Sequence, residues 1–228
     1  MGHRVSFESN GGTTDAYLAL PESGAGPGVI VVQEWWGLVD HIEEVTDRFA
    51  AEGFTALAPD FYHGAATTEP DEAARLLMGM AMDQAARDIA GAARYLSSRD
   101  EQAGGVGAVG FCMGGSLALW SAAIADEVVA AVGFYPAIPW ERMAPSWRGY
   151  RGKHAVIHCS EEDGGSGAPG IQVARRGIEQ AGGEVTVYDY PGSRHAFFND
   201  QRPEVYDAGH AADAWARTLA VLNAHLAG

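Results

Sequence analysis

The feature that most constrains this chain is a glycine-rich segment with a cysteine at its centre, Gly110-Phe111-Cys112-Met113-Gly114-Gly115. It follows an apolar, strand-like run at 106–109 and precedes a helix-like run at 116–120. Glycines on both sides of Cys112 permit a turn that holds its central residue in a strained backbone conformation. Such a turn lifts the thiol above a sheet edge and places it at a helix N-terminus, where partial positive charge favours a thiolate. The segment therefore predicts a strand–turn–helix corner that presents a reactive cysteine.

A catalytic cysteine needs a base, and the base needs a group that orients it. His195 lies on the loop after the last predicted strand, behind a Pro-Gly turn, and just before the final helix. Asp163 follows an apolar strand that ends at Cys159. Each of these residues follows a separate strand, and parallel strands end at the same sheet edge, where ligands bind in open α/β sheets. The order nucleophile, acid, histidine therefore predicts a Cys112–Asp163–His195 triad.

Both partners of the cysteine have competitors in the sequence. Glu161 and Glu162 stand beside Asp163 and are alternative acids, and Asp163 itself has the composition of a solvated loop residue or helix cap. His158 lies inside an apolar strand, which is typical of a buried core histidine. The chain contains six further histidines besides His158 and His195, at positions 3, 41, 63, 154, 210 and 225. Only His195 combines the post-strand loop with the required order.

Alternating apolar and helical patterns predict one domain over residues 1–228 with a mostly parallel sheet of about eight strands and helices on both faces. The predicted strands are 4–8, 15–20, 28–33, 55–58, 105–109, 129–134, 154–159 and 185–190. The predicted helices are 40–52, 70–82, 83–98, 112–123, 170–181 and 203–226. The turn signal Asn10-Gly11-Gly12 predicts that the first two strands form an antiparallel edge.

Several separated motifs in one order resemble the dienelactone hydrolase family, within the α/β-hydrolase fold, over nearly the whole chain. They are the runs 29–37, 58–62, 110–115 and 192–197. The resemblance implies that Cys112 is the nucleophile, His195 the general base and acid, and Asp163 the residue that orients the histidine. It also implies that Glu34, directly after a central strand, holds the resting thiol protonated and helps to form the thiolate. The alternative for Glu34 is a structural carboxylate paired with an arginine.

The oxyanion hole is predicted from position, because backbone donors do not depend on their side chains. One N–H belongs to Met113, the residue after the nucleophile, and the second to Trp35, in the loop after strand 28–33. Four side chains are predicted to bind substrate: Trp36, Tyr135, Phe197 and Arg75. Dienelactone-type members carry a carboxylate-binding arginine four residues after the histidine, where this chain has Asn199. Arg194 and Arg202 are nearby alternatives.

The chain has 30 acidic and 15 basic residues, a formal net charge of −15. This charge opposes binding to nucleic acid and to anionic membrane surfaces, and no apolar stretch is as long as a membrane span. The two cysteines, Cys112 and Cys159, suggest no disulfide framework and suit a reducing cytoplasm. No Cys-x-x-Cys metal-ligand spacing is present, so neither metal nor cofactor is expected. The expected partner is a small-molecule ester or lactone, and the expected state is a monomer or small homo-oligomer.

The sequence thus predicts a hydrolase that cleaves an ester or lactone bond through a thioester acyl-enzyme. A first alternative is a redox-sensing or non-catalytic member in which Cys112 reacts with oxidants. A second is a dinucleotide-binding oxidoreductase, suggested by Gly107, Gly110 and Gly114 after a strand. The spacing of these glycines is not Gly-x-Gly-x-x-Gly, and the next strand ends without an acidic ribose ligand.

Overall fold

The computed structural model describes residues 1–227, and eight strands form its centre. In chain order the strands are β1 (His3–Ser9), β2 (Gly12–Ala19), β3 (Gly26–Val32), β4 (Thr55–Pro59), β5 (Gln102–Phe111), β6 (Val128–Phe134), β7 (His154–Ser160) and β8 (Glu184–Tyr190). They form one sheet in the order β1-β2-β4-β3-β5-β6-β7-β8. Strands β3 to β8 are parallel to one another, and β2 pairs antiparallel with both β1 and β4. The predicted α/β-hydrolase sheet of eight mostly parallel strands is confirmed.

Seven α-helices accompany the strands within the described residues. They are α1 (Asp40–Ala51), α2 (Pro70–Gly79), α3 (Met82–Ser97), α4 (Met113–Ile124), α5 (Trp140–Met143), α6 (Pro169–Ala181) and α7 (Ala208–Leu226). The helices α1 and α7 pack on one face of the sheet and α3, α4 and α6 on the other. None of the helices in residues 1–227 has the length and apolar character needed to cross a membrane.

The central strands are apolar on both faces because helices cover both of them. Val29 and Val31 belong to the cluster beneath α1 and α7, whereas Ile30 and Val32 belong to the cluster beneath α3 and α4. All four are completely buried. A continuous apolar run therefore becomes a strand that contributes alternate side chains to two separate cores.

The predicted hairpin at the sheet edge is confirmed. Asn10 and Gly11 connect β1 to β2, with φ angles of 55° and 74°, and Ser9 pairs with Gly12 across the turn. Two positive φ angles in a two-residue connection match the twist of antiparallel strands, and Asn-Gly adopts them at low cost. The hairpin adds an antiparallel edge at the side of the sheet away from β8.

Some element boundaries differ from the prediction. The last helix begins at Ala208 rather than at Pro203, because the Asp207 side chain caps it by accepting a hydrogen bond from the His210 N–H. The fourth helix begins at Met113, and Cys112 occupies the N-cap position. The four-residue helix α5 was not predicted, since one turn is too short for a periodic pattern. These differences do not affect the parallel strands, whose carboxyl ends all lie at one edge of the sheet.

Candidate active site

Cys112 occupies the corner between β5 and α4. Its backbone angles are φ 55° and ψ −118°, a conformation that side chains rarely adopt. The Cys112 N–H donates to the Phe134 carbonyl at 3.0 Å, and its own carbonyl accepts from Gly115 and Ala137. These three bonds hold the strained corner from both sides. The half-buried thiol thus lies at the positive end of a twelve-residue helix.

The glycines of the corner are required by close backbone contacts. A Cβ atom on Gly110 would lie 2.0 Å from the Gly114 carbonyl oxygen. One on Gly114 would lie 2.3 Å from the carbonyl oxygen of Gln33 and 2.4 Å from that of Val32. The corner is therefore pressed directly against the end of β3, the strand that leads into Glu34.

His195 and Asp163 meet at the same sheet edge. The His195 Nδ1 atom lies 2.7 Å from the Asp163 Oδ2 atom, although 32 residues separate them. Asp163 follows β7 and His195 follows β8, and the two strands are paired neighbours. The side chains are partly exposed, His195 by 29% and Asp163 by 40%. The pair thus lies at a solvent-accessible rim.

The neighbouring acids have other partners. Glu162 accepts the backbone N–H of His195 at 2.7 Å, and Glu161 accepts the backbone N–H of Gly192. Ser160 donates a short hydrogen bond to Asp163 Oδ2. The two glutamates therefore fix the backbone of the histidine loop, whereas Asp163 contacts the ring. Sequence reasoning missed Ser160 and the role of Glu162, because a serine at a strand end and an acid in a loop carry no distinctive pattern.

Electrostatics favour a protonated His195. Burial lowers its pKa, but hydrogen bonds to Asp163 and Cys112, together with their charges, outweigh burial and raise the pKa to about 10. Burial also raises the pKa of Asp163, but the hydrogen bonds from His195 and Ser160 hold it below its ordinary value. The contacts of His195 therefore stabilise its imidazolium form beside the Asp163 carboxylate.

Glu34 is 1% exposed and lies at the base of the site. Its Oε2 accepts a 2.9 Å hydrogen bond from the Asn199 side chain, whereas its Oε1 and the Tyr135 hydroxyl have no hydrogen-bond partner among the described residues. Burial raises the pKa of Glu34, and Asn199, His195 and Arg202 offset this only in part. The carboxyl is thus paired with an amide rather than with an arginine.

The predicted oxyanion-hole residues, Met113 and Trp35, flank the close approach of Gly114 to the end of β3. Met113 is the first residue of α4, so its N–H has no acceptor within the helix. Trp35 follows Glu34 in the loop beyond β3. Tyr62, from the loop after β4, brings its hydroxyl within 3.4 Å of the Met113 sulfur. Both positions remain predictions for oxyanion binding, and Tyr62 adds a hydroxyl beside them.

Of the residues predicted to bind substrate, Tyr135 lies beside His195, whereas Trp36 packs against Trp35. The Tyr135 ring lies 5.0 Å from the His195 ring, and the Trp36 ring lies 4.9 Å from that of Trp35. Phe197 is fully buried and packs against Tyr135 and Tyr190. Phe197 is thus a core residue of this structure, and its substrate-binding role stays a prediction.

Arg75 lies on α2 with its side chain 69% exposed and bonded to Glu72. It borders a cleft that Tyr62 and His63 also line. Its substrate-binding role stays a prediction. His158, by contrast, is a buried core residue as predicted, since its two ring nitrogens contact the hydroxyls of Tyr190 and Thr218 at 2.8 and 3.1 Å.

The site consists of a cysteine at a glycine corner, a paired histidine and aspartate, and a buried glutamate after β3. A family model described as the dienelactone hydrolase family matches residues 14–226 of the chain. The chain belongs to the dienelactone hydrolase family. This dienelactone hydrolase family member is 36% identical over 239 residues to "Protein usf" of Aquifex pyrophilus, covering 99% of this chain and 100% of that protein.

Two further matches agree with this family. The "Putative carboxymethylenebutenolidase" of Aquifex aeolicus is 35% identical over 223 residues, covering 94% of this chain and 95% of that protein. The solved structure named "Putative Dienelactone Hydrolase" from Klebsiella pneumoniae superposes with a TM-score of 0.82 at 26% identity. That alignment covers 96% of this chain and 97% of the other. The family member described here is therefore a hydrolase with the fold of dienelactone hydrolases.

No group of three or more His, Cys, Asp or Glu side chains within residues 1–227 is arranged to hold a metal ion.

Proposed function

We propose that this chain hydrolyses carboxylic ester or lactone bonds, with Cys112 as the nucleophile and a thioester acyl-enzyme as the intermediate. The observation that carries the proposal is the 2.7 Å contact between His195 Nδ1 and Asp163 Oδ2, and the influence of Cys112 on the pKa of the same ring supports it. A base that is oriented by an acid and acts on a nearby nucleophile is the general requirement for covalent catalysis. The name of the Aquifex aeolicus relative supports lactones among the substrates.

In the first step the Cys112 thiolate attacks the carbonyl carbon, a C–S bond forms and the carbonyl π electrons move to oxygen. The resulting oxyanion accepts hydrogen bonds from the Met113 and Trp35 N–H groups. The His195 imidazolium donates its proton to the leaving oxygen as the C–O bond breaks. The alcohol departs, or in a lactone remains attached, and the acyl group stays on sulfur.

In the second step His195 removes a proton from water, which attacks the thioester carbonyl. The C–S bond breaks, the acid is released and the imidazolium–thiolate pair forms again. Asp163 holds the imidazole in the tautomer that directs its other nitrogen to Cys112, and it stabilises the imidazolium that recurs in each half of the cycle. The raised pKa of His195 supports the imidazolium form of the ring in this cycle.

We propose that Glu34 supplies a second protonation site for the Cys112 thiol. Burial raises the pKa of this carboxyl, which makes its ionised form a better acceptor for the thiol proton than an ordinary carboxylate. In the resting enzyme the thiol keeps its proton, and Glu34 takes up that proton when substrate enters. Asn199 fixes one carboxyl oxygen, so the unpartnered Oε1 is the atom left for this exchange.

The proposal is tested by hydrolysis of p-nitrophenyl acetate, an enol lactone and an acyl thioester, followed by mass spectrometry of rapidly quenched enzyme. We expect turnover by the wild type, one added acetyl group on the peptide that contains Cys112, and neither in Cys112→Ala. Cys159→Ala is the matched control, since Cys159 is the only other cysteine and is buried. Equal turnover by the wild type and Cys112→Ala would refute the nucleophile.

A further inference from the structure

A cavity of about 320 Å³ lies next to the triad, on the side of Asp163. Three segments form its walls: the loop and short helix after β6, the end of β7 with Asp163, and the start of α6. Neither Cys112 nor His195 lines this cavity. The mechanism proposed above makes no use of it.

The cavity nevertheless adjoins the catalytic centre. Tyr135 forms part of its wall, and the Tyr135 ring lies 5.0 Å from the His195 ring. Ala137 forms the next part of the wall, and its N–H donates to the Cys112 carbonyl at 3.1 Å. The same backbone segment therefore borders the nucleophile on one side and the cavity on the other.

Hydrogen bonds fix the walls of the cavity in place. The Trp140 indole N–H donates to the Gly170 carbonyl at 2.7 Å, which joins the loop after β6 to α6. The Ile138 N–H donates to the Ser116 hydroxyl at 3.0 Å, which joins the same loop to α4. A cavity whose walls are already bonded to each other has the preformed character of a small-molecule site.

The chemistry of the lining selects against anions. Ile138, Trp140, Ile171 and Val173 give the walls their apolar surface. The ionisable carboxyls in the lining are Asp163 and Glu141, and no lysine, arginine or histidine from residues 1–227 lines the cavity. A carboxylate placed here would lose its water and meet like charges without a cation to pair with.

We propose that this cavity binds an uncharged, apolar group of the substrate, either its acyl chain or its alcohol portion. The inference rests on the proposed hydrolytic function and names its substrate class: neutral esters or lactones with an alkyl or aryl substituent. Asn199 is consistent with neutral substrates. Its amide is bonded to Glu34, so the position four residues after His195 carries no cation.

The first experiment places a larger side chain at the entrance of the cavity. Val173 is 42% exposed on α6, so Val173→Trp adds bulk there at low risk to folding. Ile124→Trp is the matched control, since Ile124 is 37% exposed at the far end of α4 from Cys112. Two substrate series are compared: p-nitrophenyl esters from acetate to hexanoate, and acetate esters of methyl to hexyl alcohols.

For each series we compare kcat/KM of the longest substrate with kcat/KM of the shortest. We expect Val173→Trp to lower this ratio by about 10-fold in one series, since a few methylenes are worth at least this factor in an apolar pocket. A change in the first series assigns the cavity to the acyl chain, and a change in the second assigns it to the alcohol. Unchanged ratios in both series would overturn the proposal.

The second experiment tests whether the cavity disfavours a negatively charged substrate group. The wild type should prefer p-nitrophenyl pentanoate to the p-nitrophenyl monoester of glutaric acid, of similar length, by at least about 10-fold. Glu141→Lys should reduce this preference more than Glu22→Lys, which makes the same change in net charge at an exposed loop before β3. Equal preference in the wild type, or equal effects of the two lysines, would contradict the proposed lining.

A binding measurement separates this inference from the catalytic proposal. In Cys112→Ala, calorimetry with ethyl pentanoate should show binding that Val173→Trp weakens and Ile124→Trp does not. Loss of this difference would refute the binding role of the cavity even if Cys112 proves to be the nucleophile. Its presence would support the cavity even if Cys112→Ala retained turnover and the catalytic proposal fell.

Discussion

The Asn199 side-chain amide donates a 2.9 Å hydrogen bond to Glu34 Oε2 across 165 residues of chain. Asn199 follows His195 by four positions, and Glu34 follows β3, so this contact joins the histidine loop to the centre of the sheet. Both side chains are at least 97% buried. The bond therefore fixes the position of the histidine loop and offsets part of the cost of burying a carboxyl group.

We expect Asn199→Ala to lower the free energy of unfolding by about 1–3 kcal/mol, the usual cost of leaving a buried acceptor without its donor. The pKa of Glu34 should rise further, because the amide hydrogen bond is the largest influence that lowers it. Urea denaturation measures the first effect and 13C NMR of the Glu34 carboxyl the second. Asn223→Ala, at an exposed position of α7, is the control, and an equal loss in both variants would contradict the role of the buried bond.

A second prediction concerns the glycine corner. Gly114→Ala places a Cβ atom 2.3 Å from the Gln33 carbonyl oxygen, so either β3 or α4 must move. We expect a loss of about 1–3 kcal/mol or more in unfolding free energy and a fall in kcat, although alanine ordinarily favours a helix over glycine.

Gly79→Ala gives the matched comparison in the denaturation experiment. Gly79 ends α2, and its added Cβ meets no atom within 4 Å. This variant should be neutral or more stable by up to about 1 kcal/mol. The steric account of the corner fails if the two alanines have the same effect on stability.

The fold and the order of the triad could be predicted because they depend on local signals. The apolar run of β3, the Asn10-Gly11 turn and the glycines around Cys112 each determine a nearby backbone conformation. The burial of Phe197 could not be predicted in the same way. His195 and Phe197 share one irregular loop, in which Ala196 has a φ of 66°, so no periodicity indicates which side chains face the cleft.

The cavity beside Asp163 was also beyond sequence reasoning. Ile138 and Ile171 are 33 residues apart, and each has the ordinary pattern of a core residue. Only the packing of α6 against the loop after β6 leaves space between them. A preference for apolar side chains is the same for a filled core and for the wall of a cavity, so composition did not distinguish the two.

A third prediction uses the buried His158. Burial lowers its pKa to about 3, so the folded protein keeps the ring neutral while the unfolded chain takes up a proton below pH 6.5. This group therefore has no effect on stability above pH 6.5 and costs stability as the pH falls from 6.5 towards 3. The slope from one such group is up to about 1.4 kcal/mol per pH unit.

Urea denaturation between pH 7 and pH 4 should show a smaller loss of stability on acidification in His158→Gln than in the wild type. Glutamine keeps the capacity to hydrogen-bond Tyr190 and Thr218 but does not titrate. His3→Gln, at an exposed position, should retain the wild-type slope. Parallel stability curves for His158→Gln and the wild type would contradict the assignment.

The last prediction concerns His195, whose pKa of about 10 depends on Asp163 and Cys112. Because this value lies above the ordinary 6.5, the protonated ring stabilises the fold fully below pH 6.5, and the contribution is lost as the pH rises towards 10.

Asp163→Asn removes the carboxylate, so the NMR titration midpoint of the His195 ring should fall. The value of kcat/KM should fall by at least about 100-fold, since the ring also loses its fixed tautomer. Glu161→Gln removes a carboxylate of the same loop that bonds the Gly192 backbone rather than the ring, and it should retain the high midpoint. A midpoint that stays near 10 in Asp163→Asn would mean that the thiolate alone sets the charge of His195, and the orienting role of Asp163 would then have to be abandoned.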